Sequence, residues 1–494
     1  MYQAETLKSL SVVFFFILLS CDTNHIKPTI LIENVIIVDG QGNKPSKGSI
    51  RIKDDKIVAV GQIVASKSDS IINGRGWHVS PGFIDSHSHH DSGRAPTYEA
   101  ALSQGITTII IGQDGFSRFP IGTYLDTIQT HPEPINIASY TGHNTIRLKV
   151  MDDYKREANG TEIDSMKLLL KQEMEGGAIG LSTGLEYDPG IYSSTEEVIE
   201  LSKELQAYGG RYISHMRSED VGLEAAIEEI IKIGKEADVP VQISHFKLGR
   251  KGLWGKAQEF INRLNEARKE GVEITADVYP YEYWSSTMTV LFPKRDFDNI
   301  ESARFALSEL TTPEGMIISS FNADTTYEGK TLAEIADERN QDPAQTYLDL
   351  IAMSIETPGE SIIAKSMTKE DIYTLLSWEH ANLCSDGSPT GHPRGWGSFP
   401  RYFSEAKDIP IEERIIKMTS QAAQNIGIGN IGEIKPGYFA DLVLFNPETL
   451  KDKATFNESS QPAEGIIQVW VSGKKVYDQG RLTGIKSGRV IRRG

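Results

Sequence analysis

His87 and His89 stand one residue apart at the end of an apolar run, Pro81-Gly82-Phe83-Ile84-Asp85-Ser86-His87-Ser88-His89. On an extended strand, residues two apart project from one face, and two imidazoles side by side suit a first-row divalent cation. The same pair can also be a solvated surface pair, so its meaning depends on further ligands elsewhere in the chain. Candidates recur. Gln113-Asp114 follows Ile106 to Ile111, His215 ends Ile213-Ser214-His215, and Ile243-Ser244-His245-Phe246-Lys247 places a lysine two residues beyond a histidine. Asp277-Val278-Tyr279 and Ser385-Asp386-Gly387 add carboxylates after two more apolar runs. The chain has two cysteines, Cys21 and Cys384, so any metal site is built from histidines and carboxylates. A divalent ion in such a site lowers the pKa of its water towards about 7, and a nearby carboxylate can move the protons that hydrolysis requires. Asp-Gly is also a common turn, which is the bland reading of Asp386; Asp114 has a similar one as a loop cap.

These residues need elements that bring them together. Candidate strands run from Ile106 to Ile111, Ile135 to Tyr140, Ala178 to Thr183, Arg211 to Met216, Val239 to Phe246, Glu273 to Tyr279 and Ala381 to Ser385, after the opening strand that leads to His87. Helical patterns with apolar residues three and four apart follow most of them, as in Ile163 to Met174, Thr195 to Tyr208, Gly222 to Lys235 and Gly255 to Lys269. Eight strand–helix units predict an α/β fold, a TIM (β/α)8 barrel over 81–425. A doubly wound open sheet would carry a Gly-rich phosphate loop after its first strand, and none is present. Barrel active sites lie at the C-terminal ends of the strands, where four of the chain's 11 histidines fall together with Asp114 and Asp386. The interval 283–379 holds more chain than one helix needs and reads as an insertion after the seventh strand, a lid or substrate-binding subdomain. Alternating apolar residues over 28–80 and 426–494 predict a small composite β-sandwich built from both termini.

A net charge of −17 without a basic run argues against a nucleic-acid partner. The apolar stretch 11–19, flanked by Lys8, is too short to span a bilayer and fits a secretory signal. Its end, Leu18-Leu19-Ser20-Cys21, resembles a bacterial lipobox. That resemblance implies a signal peptide over 1–21, lipidation of Cys21, and a membrane-anchored lipoprotein of the periplasm or cell surface.

Further motifs recur in a definite order: Gly105-Ile106-Thr107-Thr108, Ser182-Thr183-Gly184-Leu185-Glu186-Tyr187-Asp188-Pro189-Gly190, His215-Met216-Arg217-Ser218-Glu219, Asp277-Val278-Tyr279-Pro280-Tyr281, His392-Pro393-Arg394 and Gly437-Tyr438-Phe439-Ala440-Asp441. With the metal motifs, they resemble the amidohydrolase superfamily and, within it, the D-aminoacylase (N-acyl-D-amino-acid deacylase) family, from about Ile32 to Arg493. The resemblance implies hydrolysis of the amide of N-acyl-D-amino acids. It assigns His215, His245 and Asp114 to a tight metal, expected to be Zn2+, and His87 and His89 to a weaker second position. Asp386 becomes general base and then general acid. Lys247, Tyr279, Ser286 and Arg394, with Tyr187, are implied to hold the substrate carboxylate. The chain departs from the family in two places. Gln113-Asp114-Gly115 stands where the family has Asn-Cys-Gly, exchanging a thiolate for a harder oxygen ligand able to bridge two ions. Glu282-Tyr283-Trp284 replaces small residues after Tyr281. His143, after the third strand, is expected either to orient substrate or to be structural. A cyclic amidase is disfavoured because Leu181-Ser182-Thr183-Gly184-Leu185 has no lysine at the end of the fourth strand. The intact histidines and Asp386 argue against a non-catalytic binding lipoprotein.

Overall fold

The structure, a computed structural model, describes residues 1, 28–92 and 98–493. The expected signal segment and Cys21 lie outside the described residues. Among the described residues, no helix is long and apolar enough to cross a membrane.

The centre of the molecule is a set of short parallel strands. Phe83–Asp85, Ile106–Ile111 and Asn136–Ser139 form a three-stranded sheet, and Thr141–Gly142, Gly180–Gly184, Arg211–His215, Val241–Ile243, Ile274–Val278 and Ala381–Leu383 form a six-stranded one. Ile106–Ile111 is buried at every position, as expected of a β-branched run covered on both faces. A Cβ at Gly180 would stand 2.0 Å from the Arg211 carbonyl oxygen, so the approach of the neighbouring strand requires glycine there. Only Tyr140 separates Asn136–Ser139 from Thr141–Gly142, and a parallel bridge between Ser88 and Gly387 joins the two sheets at their other ends. Helices pack outside by their apolar stripes. Leu223–Ala237 buries Leu223, Ala226, Ile227, Ile230, Ile231 and Gly234, the spacing of one helical face.

Several strands are shorter than the sequence predicts. The strand expected from Val239 to Phe246 is Val241–Ile243, because His245 takes a φ of 33° that no strand can accommodate. The opening strand stops at Asp85, so His87 and His89 lie beyond it rather than on it. Their backbone pairs instead with the turn after Ala381–Leu383: His89 N–H donates to Gly387 O at 3.0 Å, and Asp386 N–H donates to His87 O at 2.9 Å.

The terminal strands join one nine-stranded sheet. His78–Pro81 is its seam, parallel to Thr29–Ile37 and antiparallel to Leu442–Phe445. Gly82 alone then separates it from Phe83–Asp85, so this sheet sets the entry of the chain into the parallel strands. The long interval after Ile274–Val278 forms an antiparallel sheet of Tyr283–Ser286, Glu360–Lys365 and Met316–Phe321. It has a hydrophobic cluster of its own, including Met288, Phe292, Leu310, Phe321, Tyr347 and Ile351. The last helix of the interval, Lys369–Ser377, packs instead against Ile274–Val278 and Ala381–Leu383.

His143 follows the structural alternative. It is fully buried, and its Nε2 lies 2.8 Å from Glu197 Oε1, which also accepts from Arg147 Nη1 at 2.6 Å. Removing Glu197 would strand a buried guanidinium. Glu197→Ala is therefore expected to destabilise the fold by about 3–5 kcal/mol, read as a lowered urea midpoint, while turnover per folded molecule is unchanged.

Candidate active site

Asp114 is carried by a turn directly after Ile106–Ile111. Gly112, Asp114 and Gly115 take φ values of 74°, 55° and 80°, a left-handed run that glycine adopts freely and aspartate tolerates. The Gln113 amide donates to Ser86 O at 2.9 Å and Ile110 O at 3.1 Å, pinning the turn against the opening strand. The Asp114 side chain is thereby aimed inward. Its Oδ2 lies 3.3 Å from His87 Nε2 and 3.2 Å from His89 Nε2, and its Oδ1 lies 3.3 Å from His245 Nε2.

His215 is the last residue of Arg211–His215, and His245 lies two residues past Val241–Ile243. His215 Nδ1 stands 3.0 Å from His245 Nε2. The candidate ligands thus fall into two groups. His87, His89, Asp114 and Asp386 form one, and Asp114, His215 and His245 the other, each with its donor atoms within 4.8 Å of one another. Asp114 belongs to both.

Burial by itself would raise the carboxyl pKa of Asp114 and Asp386. His87 and His245 nevertheless hold Asp114 well below the usual carboxylate range, and Arg394, His245 and His89 do the same for Asp386. Burial likewise disfavours the charged imidazole of His89, yet Asp114 and Asp386 push its pKa up to about 10. His245 is also raised to about 10; burial and Lys247 oppose this, and Glu219, Asp386 and Asp114 outweigh them. These shifts are two sides of one attraction: the buried carboxylates demand positive charge at this spot. A divalent cation meets that demand through the same nitrogen and oxygen atoms, a donor set suited to zinc and its neighbours.

The groups open on a cavity of about 250 Å³. His89, Asp114, His215, His245 and Asp386 line it, and so do Tyr187, Lys247, Ser286 and Arg394. Trp284, Val290 and Leu291 add an apolar wall from the interval after the strand Ile274–Val278. Both cations in this wall have partners. Lys247 Nζ lies 2.6 Å from Glu219 Oε1, and Arg394 Nη1 lies 2.7 Å from Asp386 Oδ2. Tyr187 packs its ring on His215, with centroids 4.3 Å apart. Tyr279 is buried beside them, with the Arg394 guanidinium 4.8 Å from its ring centre and its hydroxyl without a hydrogen-bond partner among the described residues. Cys384 is buried beneath the site.

Glu186 and Glu219 also line the cavity, with no role assigned to either from the sequence. Glu186 Oε2 lies 2.8 Å from His215 Nε2, and Glu219 Oε1 lies 3.0 Å from His245 Nδ1. Burial, against the pull of His215, raises the Glu186 carboxyl to about 7. Lys247, His215 and His245 overcome burial and hold Glu219 well below the usual range. The sequence carried a partial signal, since Glu219 stands four residues after His215 and Glu186 sits within a recognisable motif.

Known proteins resemble this chain in sequence and fold. A model described as the amidohydrolase family matches residues 376–477. D-aminoacylase of Alcaligenes xylosoxydans xylosoxydans is 33% identical over 496 residues, covering 94% of this chain and 97% of that protein. A solved structure of D-aminoacylase, concerned with its binuclear metal center, aligns with a TM-score of 0.83 at 31% identity, over 94% of this chain and 99% of that one. N-acyl-D-glutamate deacylase from Bordetella bronchiseptica, solved with zinc and a phosphonate inhibitor that mimics the tetrahedral intermediate, aligns with a TM-score of 0.84 at 28% identity, over 94% and 100% of the chains. This chain belongs to the D-aminoacylase family of amidohydrolases.

Proposed function

We propose that this enzyme hydrolyses the linear amide of N-acyl-D-amino acids or D-residue dipeptides, releasing a carboxylate and a free D-amino acid. The observation that carries this reading is the convergence of two ligand groups, Asp386 and the cations Lys247 and Arg394 on one cavity. A bound divalent metal supplies the Lewis acidity that makes water a usable nucleophile near neutral pH. Zinc is the expected ion. Asp114 presents a separate oxygen to each group, which supports a bridging role should both positions fill.

Asp386 takes the proton from the attacking water and returns it to the leaving nitrogen. Arg394 holds its Oδ2, which leaves Oδ1 turned towards His89 Nε2 at 3.4 Å and His87 Nε2 at 3.6 Å. Lys247, Ser286, Tyr187 and the remaining donors of Arg394 offer hydrogen bonds to the substrate carboxylate. The unpartnered hydroxyl of Tyr279, beside Arg394, supports the same role for that residue. The apolar wall of Trp284, Val290 and Leu291 is placed to meet a side chain or acyl group.

We read the two parallel sheets as one TIM (β/α)8 barrel. The single-residue break at Tyr140 and the Ser88–Gly387 bridge support that reading. The matching division is a barrel over 81–425, with 28–80 and 426–494 forming the composite β-sandwich and an insertion about 283–379. The apolar segment before Cys21 supports a lipid-anchored enzyme of the periplasm or cell surface.

Purified protein loaded separately with zinc, cobalt and manganese should release free amine from N-acetyl-D-amino acids and lose that activity on chelation. Release only from L-substrates, or ring opening of a cyclic imide in place of it, would sink this reading. Asp386→Asn should retain its metal while kcat drops by about 10²–10⁴-fold, as measured by metal analysis alongside steady-state kinetics.

A further inference from the structure

We infer that the end of the parallel strands opposite the candidate active site binds a small monovalent anion of the halide kind, held by Arg211, Arg493 and the Tyr140 hydroxyl. The inference is independent of the reaction above and concerns a second, inorganic ligand.

The strand Arg211–His215 carries both sites. Side chains two apart share a strand face, so Arg211, Ile213 and His215 point the same way, and His215 reaches the candidate metal ligands. Arg211 therefore lies on that inner face at the other end of the strand. Register puts Gly180 beside Arg211 and Leu181 beside Thr141, so Tyr140, Gly180 and Arg211 fall in one row across three neighbouring strands. Gly180 contributes no side chain to the row, which leaves none between the phenol and the guanidinium. The surroundings are apolar: Ile84, Ile110, Ala138, Ile213 and Ile426 cluster with Tyr140.

Within this apolar end the polar groups do not balance. The Arg211 side chain is 3% exposed, and the carboxylate paired with it, Glu273, is 57% exposed and lies 3.1 Å from Nη1. The Nε–Nη2 edge is the parallel pair of N–H groups with which a guanidinium grips an anion. Both of its nitrogens are buried and have no hydrogen-bond partner among the described residues. The Tyr140 hydroxyl is buried and unpartnered in the same sense. Burial pushes its pKa up to about 12, so it stays protonated and can donate.

Charge points the same way. The chain crosses this end after Val490, where Ile491 N–H donates to Ile137 O at 2.8 Å and Arg493 Nη1 donates to Ile179 O at 3.4 Å. Burial and the neighbouring Arg211 lower the Arg493 pKa, against Tyr140 and Glu273. An arginine keeps its proton, so Arg211 and Arg493 share one exposed carboxylate and retain an excess of positive charge in an apolar setting. Water could accept the hydrogen bonds, but only an anion also neutralises that charge.

The test compares thermal unfolding of the full-length protein in sodium chloride and in sodium gluconate at equal ionic strength, and adds anomalous scattering from crystals soaked in bromide. The midpoint should rise with chloride along a saturating curve and stay level with gluconate, and a bromide peak should lie within hydrogen-bond reach of Arg211 and Tyr140. Tyr140→Phe removes one donor and should raise the half-saturating chloride concentration about ten-fold. Arg211→Gln should abolish the chloride effect, and turnover should be unchanged in both variants. Should Arg211→Gln fail to fold, Tyr140→Phe and the bromide map still decide the matter. Equal midpoints in the two salts would overturn the inference. So would wild-type chloride dependence in Tyr140→Phe, or density at this place for water or a carboxylate of the chain itself with no bromide.

Discussion

A carboxylate held among imidazoles, with little access to water, is the constraint on which the site depends. Asp114 has three histidine nitrogens within 3.3 Å. At that separation a unit positive charge is worth on the order of 5 kcal/mol at an effective dielectric near ~20. A residue held in an unfavourable backbone conformation costs about 1–3 kcal/mol. The comparison explains why Asp114, His245 and Asp386 all adopt left-handed φ values, 55°, 33° and 46°. Attraction at the centre outweighs the strain of turning each side chain into it. The same demand for positive charge brings Lys247 and Arg394 into a wall that is otherwise rich in carboxylates.

Convergence of this kind needs fixed distances between elements far apart in sequence. Asp85 provides one such tie. Its oxygens accept the Ser385 backbone N–H at 2.8 Å and the Ser385 hydroxyl at 2.5 Å, joining the strands that deliver His87 and Asp386. Asn382 donates to the Ser86 hydroxyl at 2.7 Å and strengthens the same junction. With the backbone bonds between His87, His89 and the turn at Asp386, these contacts make the first ligand pair and the proposed base one rigid piece. All of the polar groups are buried and would be costly to leave unmatched, so the junction has little freedom to slip.

Much of this was legible in the sequence for a specific physical reason. Parallel strands covered on both faces read as near-continuous apolar runs, so a charged or imidazole side chain at the close of one marks a strand end. His215, His245, Asp114 and Asp386 could all be placed in that way. The backbone detail was not legible. Nothing in Ser86-His87-Ser88-His89 says that the strand stops at Asp85, because that depends on pairing with a turn some 300 residues away. Glu186 and Glu219 carried no role because their partners are the far nitrogens of histidines, and sequence spacing does not reveal which way a ring is turned.

The strand Tyr283–Ser286 pairs with Glu360–Lys365 and belongs to a sheet whose hydrophobic cluster is separate from that of the parallel strands, yet Trp284, Ser285 and Ser286 face the cavity. The apolar part of the cavity wall and the histidines thus rest largely on different elements, with Trp284 packed against both hydrophobic clusters. Changes that repack the sheet beneath Trp284 reshape the cavity wall from outside the strands that aim the histidines. Such a division lets a lineage explore new side chains and acyl groups while its hydrolytic apparatus is inherited intact.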